Sequence, residues 1–315
     1  MLLHTGTFTA WDVSWSVESR SRGDEKCSRT TQISFPYRGA HVQQIGAKQY
    51  VADPNHMVII EKNEPYRLSY PTLGEHAMLT ITINPEALSS VLPSECSDSL
   101  AQLGGGRWGL RTDPHTQLMA AQLRQRLIRR SIGRLEGEIA TLHLVRRALK
   151  QSITGVGPAS KGRPAELAGQ VKMHLSVDPR RRWRLAEMAE QVCVTAEYLT
   201  DIFRRVEGTP FYRYHLRLRL AFALTMLTNC DDLTTLAIEL GFNSHSHFSS
   251  AFKKMFGQTP SAFKKSITDP QGALIGDDGP SFTNAESAKV YVAGRCFRRS
   301  EQSRAVPVLP ATIVA

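Results

Sequence analysis

The stretch from Leu185 to Gly257 repeats itself, and no other feature of the sequence limits the possible folds as tightly. Leu185, Met188, Ala189 and Val192 recur 48 residues later as Leu233, Leu236, Ala237 and Leu240. One extra residue then enters the turn. Leu199, Phe203, Arg204-Arg205 and Gly208 recur 49 residues on as Phe248, Phe252, Lys253-Lys254 and Gly257. Each copy predicts a short helix, a tight turn at Cys193-Val194 or Gly241-Phe242, and a second helix capped by Thr195 or Ser244. That unit is a helix-turn-helix, predicted at 185–206 and again at 233–256.

The residue types in the second helices fit a surface that meets nucleic acid. Spacings of three and four bury Leu199, Ile202 and Phe203 in the first, and Phe248, Ala251, Phe252 and Phe256 in the second. The opposite faces carry small polar and basic side chains. Glu197, Thr200, Asp201 and Arg204 lie on the first, and His245, Ser246, Ser249, Ser250 and Lys253 on the second. These are the candidates for DNA contact, with base edges met chiefly from the first two turns. Arg204-Arg205 and Lys253-Lys254, a turn further on, are placed for phosphates. Between the copies, Leu216, Leu220, Ala223, Leu224 and Leu227 stripe one long helix that would hold the two readers apart.

Charge is distributed accordingly. The 315-residue chain has a formal net charge of +10, with net −2 over 1–109, +6 over 110–150 and +5 over 163–268. The basic excess lies in the second half, where a polyanion would bind. No apolar run is long enough for a membrane span, and MLLHTGTFTAWD lacks the pattern of a signal peptide, so a cytoplasmic protein without a membrane partner is expected. Five scattered cysteines without Cys-x-x-Cys suggest free thiols rather than a disulfide or zinc framework.

Ahead of the repeat, short alternating runs from 30 to 84, broken by Gly, Pro, Asn or Asp, predict an antiparallel sandwich or barrel. Asn84-Pro85 predicts a short helix ending near Leu92, followed by a glycine-rich loop at 103–109. Asp113-Pro114 opens a helix to about 130. A second, near 135–151, carries Leu135, Ile139, Leu142, Val145 and Leu149 on one face. This hairpin either covers the β domain or gives a seam to a second subunit. TGVGPASKGRP reads as a linker, and 269–315 as a mostly disordered tail.

The stretches LAEMAEQVCVTAEYLTDIFRRVEGTPFYRYHLRLRLAFALTML and LAIELGFNSHSHFSSAFKKMFGQTPSAFKK resemble the AraC/XylS family of bacterial transcription regulators. The resemblance covers about 165–267. It implies an α+β multidomain protein: a cupin-like β-barrel or sandwich at 1–109 for effector binding, a helical dimerisation hairpin at 110–152, a linker at 153–164, and an all-α double helix-turn-helix domain at 165–268. QYVADPNHMVIIEKNEPYRLSYP matches the cupin-like part more weakly. The implied function is a sequence-specific transcription regulator and not an enzyme. An effector-responsive activator is favoured over a repressor or a constitutive DNA-binding regulator. The implied partners are double-stranded DNA, a small-molecule effector, RNA polymerase and a second copy of the chain.

Two departures from the family pattern concern DNA contact. Ser250 stands where the family often has Arg, and Asp201 where a basic residue is common. No cofactor or metal is expected. His245 and His247 lie two residues apart, on different faces of a helix without a further ligand, and His41, His56 and His76 are far apart along the chain. Trp11, Trp15, Tyr37, Tyr50 and Tyr66 are candidates for an effector pocket, with a plain core role as the alternative.

Overall fold

The computed structural model describes residues 1–46, 48–87, 91, 109–154 and 162–268. The predicted glycine-rich loop, apart from the backbone of Gly109, the end of the helix expected near Leu92, and the tail lie outside them.

Ten strands lie among the described residues of the first part of the chain. They are β1 (Leu3–His4), β2 (Phe8–Val17), β3 (Ser21–Cys27), β4 (Gln32–Arg38), β5 (His41–Ile45), β6 (Lys48–Ala52), β7 (His56–Ile60), β8 (Pro65–Tyr70), β9 (Gly74–Ile83) and β10 (Gly109–Arg111). One sheet runs β1-β2-β9-β4-β7-β10 and the other β3-β8-β5-β6, all pairings antiparallel. Val58 and Ile60 of the first sheet pack with Ile45, Ala52 and Tyr66 of the second, so the two faces share an apolar interior. Neither sheet closes on itself; the barrel alternative is therefore not met as a closed sheet.

Strands β1 to β3 lie ahead of the stretch that the sequence pattern marks as β. The ten residues of β2 pair along their length with β9, from Phe8↔Ile83 to Val17↔Gly74. SRGDEKC in β3 is an exposed edge strand rich in charge, which guards an edge against further pairing but hides the strand from a hydrophobic pattern. After Asn84 the described residues form a turn of 3₁₀ helix, Pro85–Ala87, and Val91 is helical.

Nine helices follow among the described residues: α1 (Pro114–Ile128), α2 (Arg134–Thr154), α3 (Arg163–Val177), α4 (Leu185–Gln191), α5 (Ala196–Glu207), α6 (Phe211–Met226), α7 (Leu233–Glu239), α8 (His245–Phe256) and α9 (Pro260–Thr268). Asp113 caps α1 as its sequence suggests, accepting from the backbone N–H of His115 at 2.8 Å and of Thr116 at 3.1 Å. In α2 the predicted stripe divides: Val145 and Leu149 are buried, whereas Leu135 is 71% and Ile139 49% exposed. No described helix is long and apolar enough to cross a membrane.

Two apolar clusters hold α3 to α9. Leu167, Val171, Leu175, Met188, Leu199 and Phe203 belong to the first, which the front half of α6 completes with Phe211, Tyr214 and Leu218. The second gathers Leu224, Leu236, Leu240, Phe248, Phe252 and Phe263 around the rear half of α6. One helix thus serves two cores.

Candidate nucleic-acid interface

The sequence repeat is a repeat of hydrogen bonds. In the first turn, Cys193 (φ 54°) bends the chain and the Val194 N–H donates to Ala189 O at 3.0 Å. In the second, Gly241 (φ 77°) does so and the Phe242 N–H donates to Ala237 O at 2.9 Å. Each is the six-residue closure that ends a helix at a left-handed residue. The Thr195 hydroxyl then accepts from the Tyr198 N–H at 3.2 Å, and the Ser244 hydroxyl from the His247 N–H at 3.1 Å. Left-handed Gly208 and Gly257 stop α5 and α8. Asp232 caps α7, and hydrogen bonds, chiefly from the Thr235 hydroxyl, hold its carboxyl at about 2.

These caps leave one face of α5 and one of α8 open. Glu197, Thr200, Asp201, Arg204 and Arg205 are exposed on α5, and Ser246, Ser250, Lys253 and Lys254 on α8, with His245 and Ser249 half-buried. The opposite faces are sealed, with Leu199, Phe203, Phe248 and Phe252 at 0% exposure. Asp201 pairs with Arg205 one turn on, so its charge is balanced within the helix. His245 bonds to the Ser249 hydroxyl at 3.2 Å, while the ring of His247 packs edge-on against Phe242 at 5.4 Å. The two histidines have separate partners.

Arg219, on α6, ties the two units together. Its guanidinium donates to Pro179 O, Arg181 O and Gly241 O at 3.3–3.4 Å, and Arg182 donates to Gly241 O at 2.5 Å. The loop before α4 is thereby fastened to the turn before α8. Nothing in the spacing of Arg219 singles it out among the basic residues of α6.

The first part of the chain grips both units. At the first, Asp53 and His56 of the β region meet Lys172 of α3, Glu207 of α5 and Tyr214 of α6, all five at most 4% exposed. Asp53 accepts from Tyr214 at 2.5 Å and bonds His56 Nδ1 at 2.8 Å. Lys172 Nζ lies 3.2 Å from both His56 Nε2 and Glu207 Oε1. Arg111 adds a bond to Val206 O at 3.0 Å. Burial alone would raise the Asp53 carboxyl, but the charge and hydrogen bond of His56, with Lys172 and Tyr214, hold it at about 2. Glu207 is likewise lowered against its burial by Lys172, His56 and Arg111. At the second unit, Leu118 of α1 enters the apolar core, Gln122 bonds Ser266 at 3.0 Å, and Arg129 donates to Thr228 O at 2.7 Å.

The aromatic residues considered for an effector pocket fall in separate places. Tyr50 and Tyr66 join the cluster between the sheets. Trp15 stacks on His76 at 5.6 Å and meets Tyr70 edge-on, Trp11 is half-buried on β2, and Tyr37 lies under the Arg124 guanidinium at 3.8 Å. His41 and His76, distant in sequence, both pack on the ring of Tyr70, at 6.2 and 5.2 Å.

Two capped helix-turn-helix units joined by one helix make up the candidate interface. Comparison with known proteins makes this more specific. A family model described as a helix-turn-helix domain matches residues 188–266. The HTH-type transcriptional regulator GlxA of Rhizobium meliloti is 34% identical over 104 residues, 32% of this chain and 31% of that protein. An AraC-like transcription regulator of Streptomyces lividans is 27% identical over 133 residues, 42% of this chain and 44% of the other. Among solved structures, ToxT from Vibrio cholerae O395 is 14% identical with a TM-score of 0.34, over 85% of this chain and all of that one. The chain spans between about a third and under half of the length of these two curated relatives. Residues 188–266 are an AraC-type helix-turn-helix domain.

Proposed function

We propose that the chain is a sequence-specific DNA-binding transcription regulator of the AraC family, controlled by a small molecule and acting as an activator that recruits RNA polymerase. The observation that carries the DNA reading is the pair α5 and α8, each capped in the same way and each open on one polar and basic face. Side chains from the first turns of such helices reach base edges, and the lysines and arginines a turn later reach phosphates. The domain boundaries expected from the sequence and the cupin-like reading of the two-sheet region belong to this proposal. Effector control is supported by the grip of the first region on both reader units, because a ligand that changes that grip changes how the readers are presented. Activation rests on the family resemblance alone.

A homodimer is part of the reading. Leu135 and Ile139 lie one turn apart on α2 and remain exposed, an apolar ridge suited to a second copy. Sedimentation of the full chain at micromolar concentration tests this, and a monomer there removes the dimer. The DNA reading is tested by selecting sites from random duplexes and comparing two variants. Lys253→Ala is expected to weaken binding to all sequences and to flatten its salt dependence by about one phosphate contact. His245→Ala is expected to change preference at one or two base pairs. Unchanged binding in both variants refutes the assignment.

A further inference from the structure

The two helix-turn-helix units match in fold but not in charge at the place where the chain enters them. Ahead of α4 runs PRRRWR, 179–184, in which Arg180, Arg181, Arg182 and Arg184 are all exposed. Ahead of α7, 48 residues on, Cys230 and Asp232 stand where Arg182 and Arg184 stand in the first unit. The loop 227–232 holds Asp231 and Asp232 and no lysine or arginine of its own. The cations that reach it from elsewhere, Arg129 and Lys264, donate to the carbonyls of Thr228 and Cys230.

Two of the four arginines are answered by acids. Arg180 donates to Asp178 at 3.0 Å, and Arg181 pairs with Glu187 while lying over the ring of Trp183 at 3.8 Å. Arg182 has no such partner among the described residues. Its Nε donates to Gly241 O at 2.5 Å, where the Arg219 guanidinium also donates, at 3.4 Å. Two cations thus converge on one carbonyl with no carboxylate in ion-pair reach of either, and burial, then the charge of Arg182, lowers the Arg219 guanidinium. Arg184 is likewise without an ion pair among the described residues, because Glu187, which accepts from its backbone N–H, is paired with Arg181. Positive charge gathered without a counter-ion attracts an anion.

Position names the anion. In a helix-turn-helix the first helix crosses the sugar–phosphate backbone while the second enters the groove. PRRRWR leads directly into α4, the first helix of its unit. Arg182 and Arg219 fasten the same loop to the turn that leads into α8, the groove helix of the other unit. The loop therefore lies where the backbone passes between the two major-groove segments. Guanidinium groups suit phosphate oxygens, which they meet with paired, charge-assisted hydrogen bonds.

We infer that Arg182 and Arg184 clamp phosphates of the DNA backbone that runs between the two readers. The first unit then holds the duplex electrostatically, while the second, with Asp231 and Asp232 at the corresponding place, reads without that grip. The clamp rests on the DNA-binding reading proposed above and adds a contact outside α5 and α8.

The test titrates the full-length chain onto its selected duplex by fluorescence anisotropy, from about 50 to about 200 mM salt. Arg182→Gln with Arg184→Gln should make the slope of log affinity against log salt shallower by about two, so that this rise in salt costs the variant about ten-fold less affinity than it costs the wild type. Preference among sequences should stay as it is, because phosphate contacts carry no sequence. Arg20→Gln with Arg29→Gln removes two exposed arginines of the β region and should leave the slope unchanged. Arg182→Lys separates clamp from fastening: it keeps the cation but gives up the Nε bond, so the slope should hold even where the melting temperature falls. A full slope in the Arg182→Gln, Arg184→Gln variant, an equal loss of slope in the β-region pair, or a slope that falls with the melting temperature in Arg182→Lys overturns the clamp. A wild type that selects no duplex at all refutes the DNA-binding reading itself; one that selects a duplex, with the slope untouched by the loop substitutions, refutes the clamp alone.

Discussion

Gly241 and Cys193 occupy the same place in the two turns, both left-handed, yet their surroundings differ. A Cβ on Gly241 would sit 2.5 Å from Arg180 O, a backbone atom with no freedom to retreat. Gly241→Ala therefore adds a clash to the ordinary cost of a left-handed non-glycine residue, together about 1–3 kcal/mol. Thermal unfolding should register it as a drop of several degrees; an unchanged midpoint would mean that the fastening of the two units at this turn is misjudged. Histidines make a second prediction. Burial, then the neighbouring His76, pushes His41 down to about 4, and burial, then Arg219, does the same to His215. An unfolded histidine takes up its proton near 6.5, so between about pH 6.5 and 4 the unfolded chain holds more protons and stability falls as the pH is lowered. Asp53 and Glu207, lowered in the fold, add their own loss further down, as pH drops below the ordinary carboxylate range. A melting temperature flat from pH 7 to 4 contradicts this.

Helices and strands were unequally legible. The reader units were written plainly because their signals are local: apolar spacing of three and four, a capping hydroxyl, and a tight turn before each second helix; that Cys193 takes a left-handed backbone was not visible in its residue type. Strand β3 was not, since an exposed edge strand with charges carries no apolar alternation. Least visible was the buried cluster at the first reader. Asp53, Lys172 and Glu207 look like surface charges in sequence, and only folding across more than 100 residues brings them together. That cluster predicts a double-mutant result. Lys172→Met leaves Glu207 buried without its nearest cation and should cost about 3–5 kcal/mol. Lys172→Met with Glu207→Met removes both charges and should be markedly less destabilising than the sum of the two single changes. Additivity by chemical denaturation would show that the pair is not coupled.

For the molecule as a whole, the account rests on two readers held at a fixed separation by shared parts. The connecting α6, 16 residues long, spans about 24 Å; Arg219 fastens one unit's entry loop to the other's turn, and the first region touches both. Such a body should place α5 and α8 in successive major grooves on one side of the duplex, about 10 base pairs apart. The most direct measurement is a hydroxyl-radical footprint of the full chain on a site selected from random DNA, compared with Lys253→Ala and Arg204→Ala. The account predicts two protected segments about one helical turn apart for each chain bound. With protein at saturation, so that occupancy is equal, Lys253→Ala should weaken protection in one segment and Arg204→Ala in the other. A single protected segment per chain, or two segments that weaken together at saturation whichever helix is altered, would contradict it.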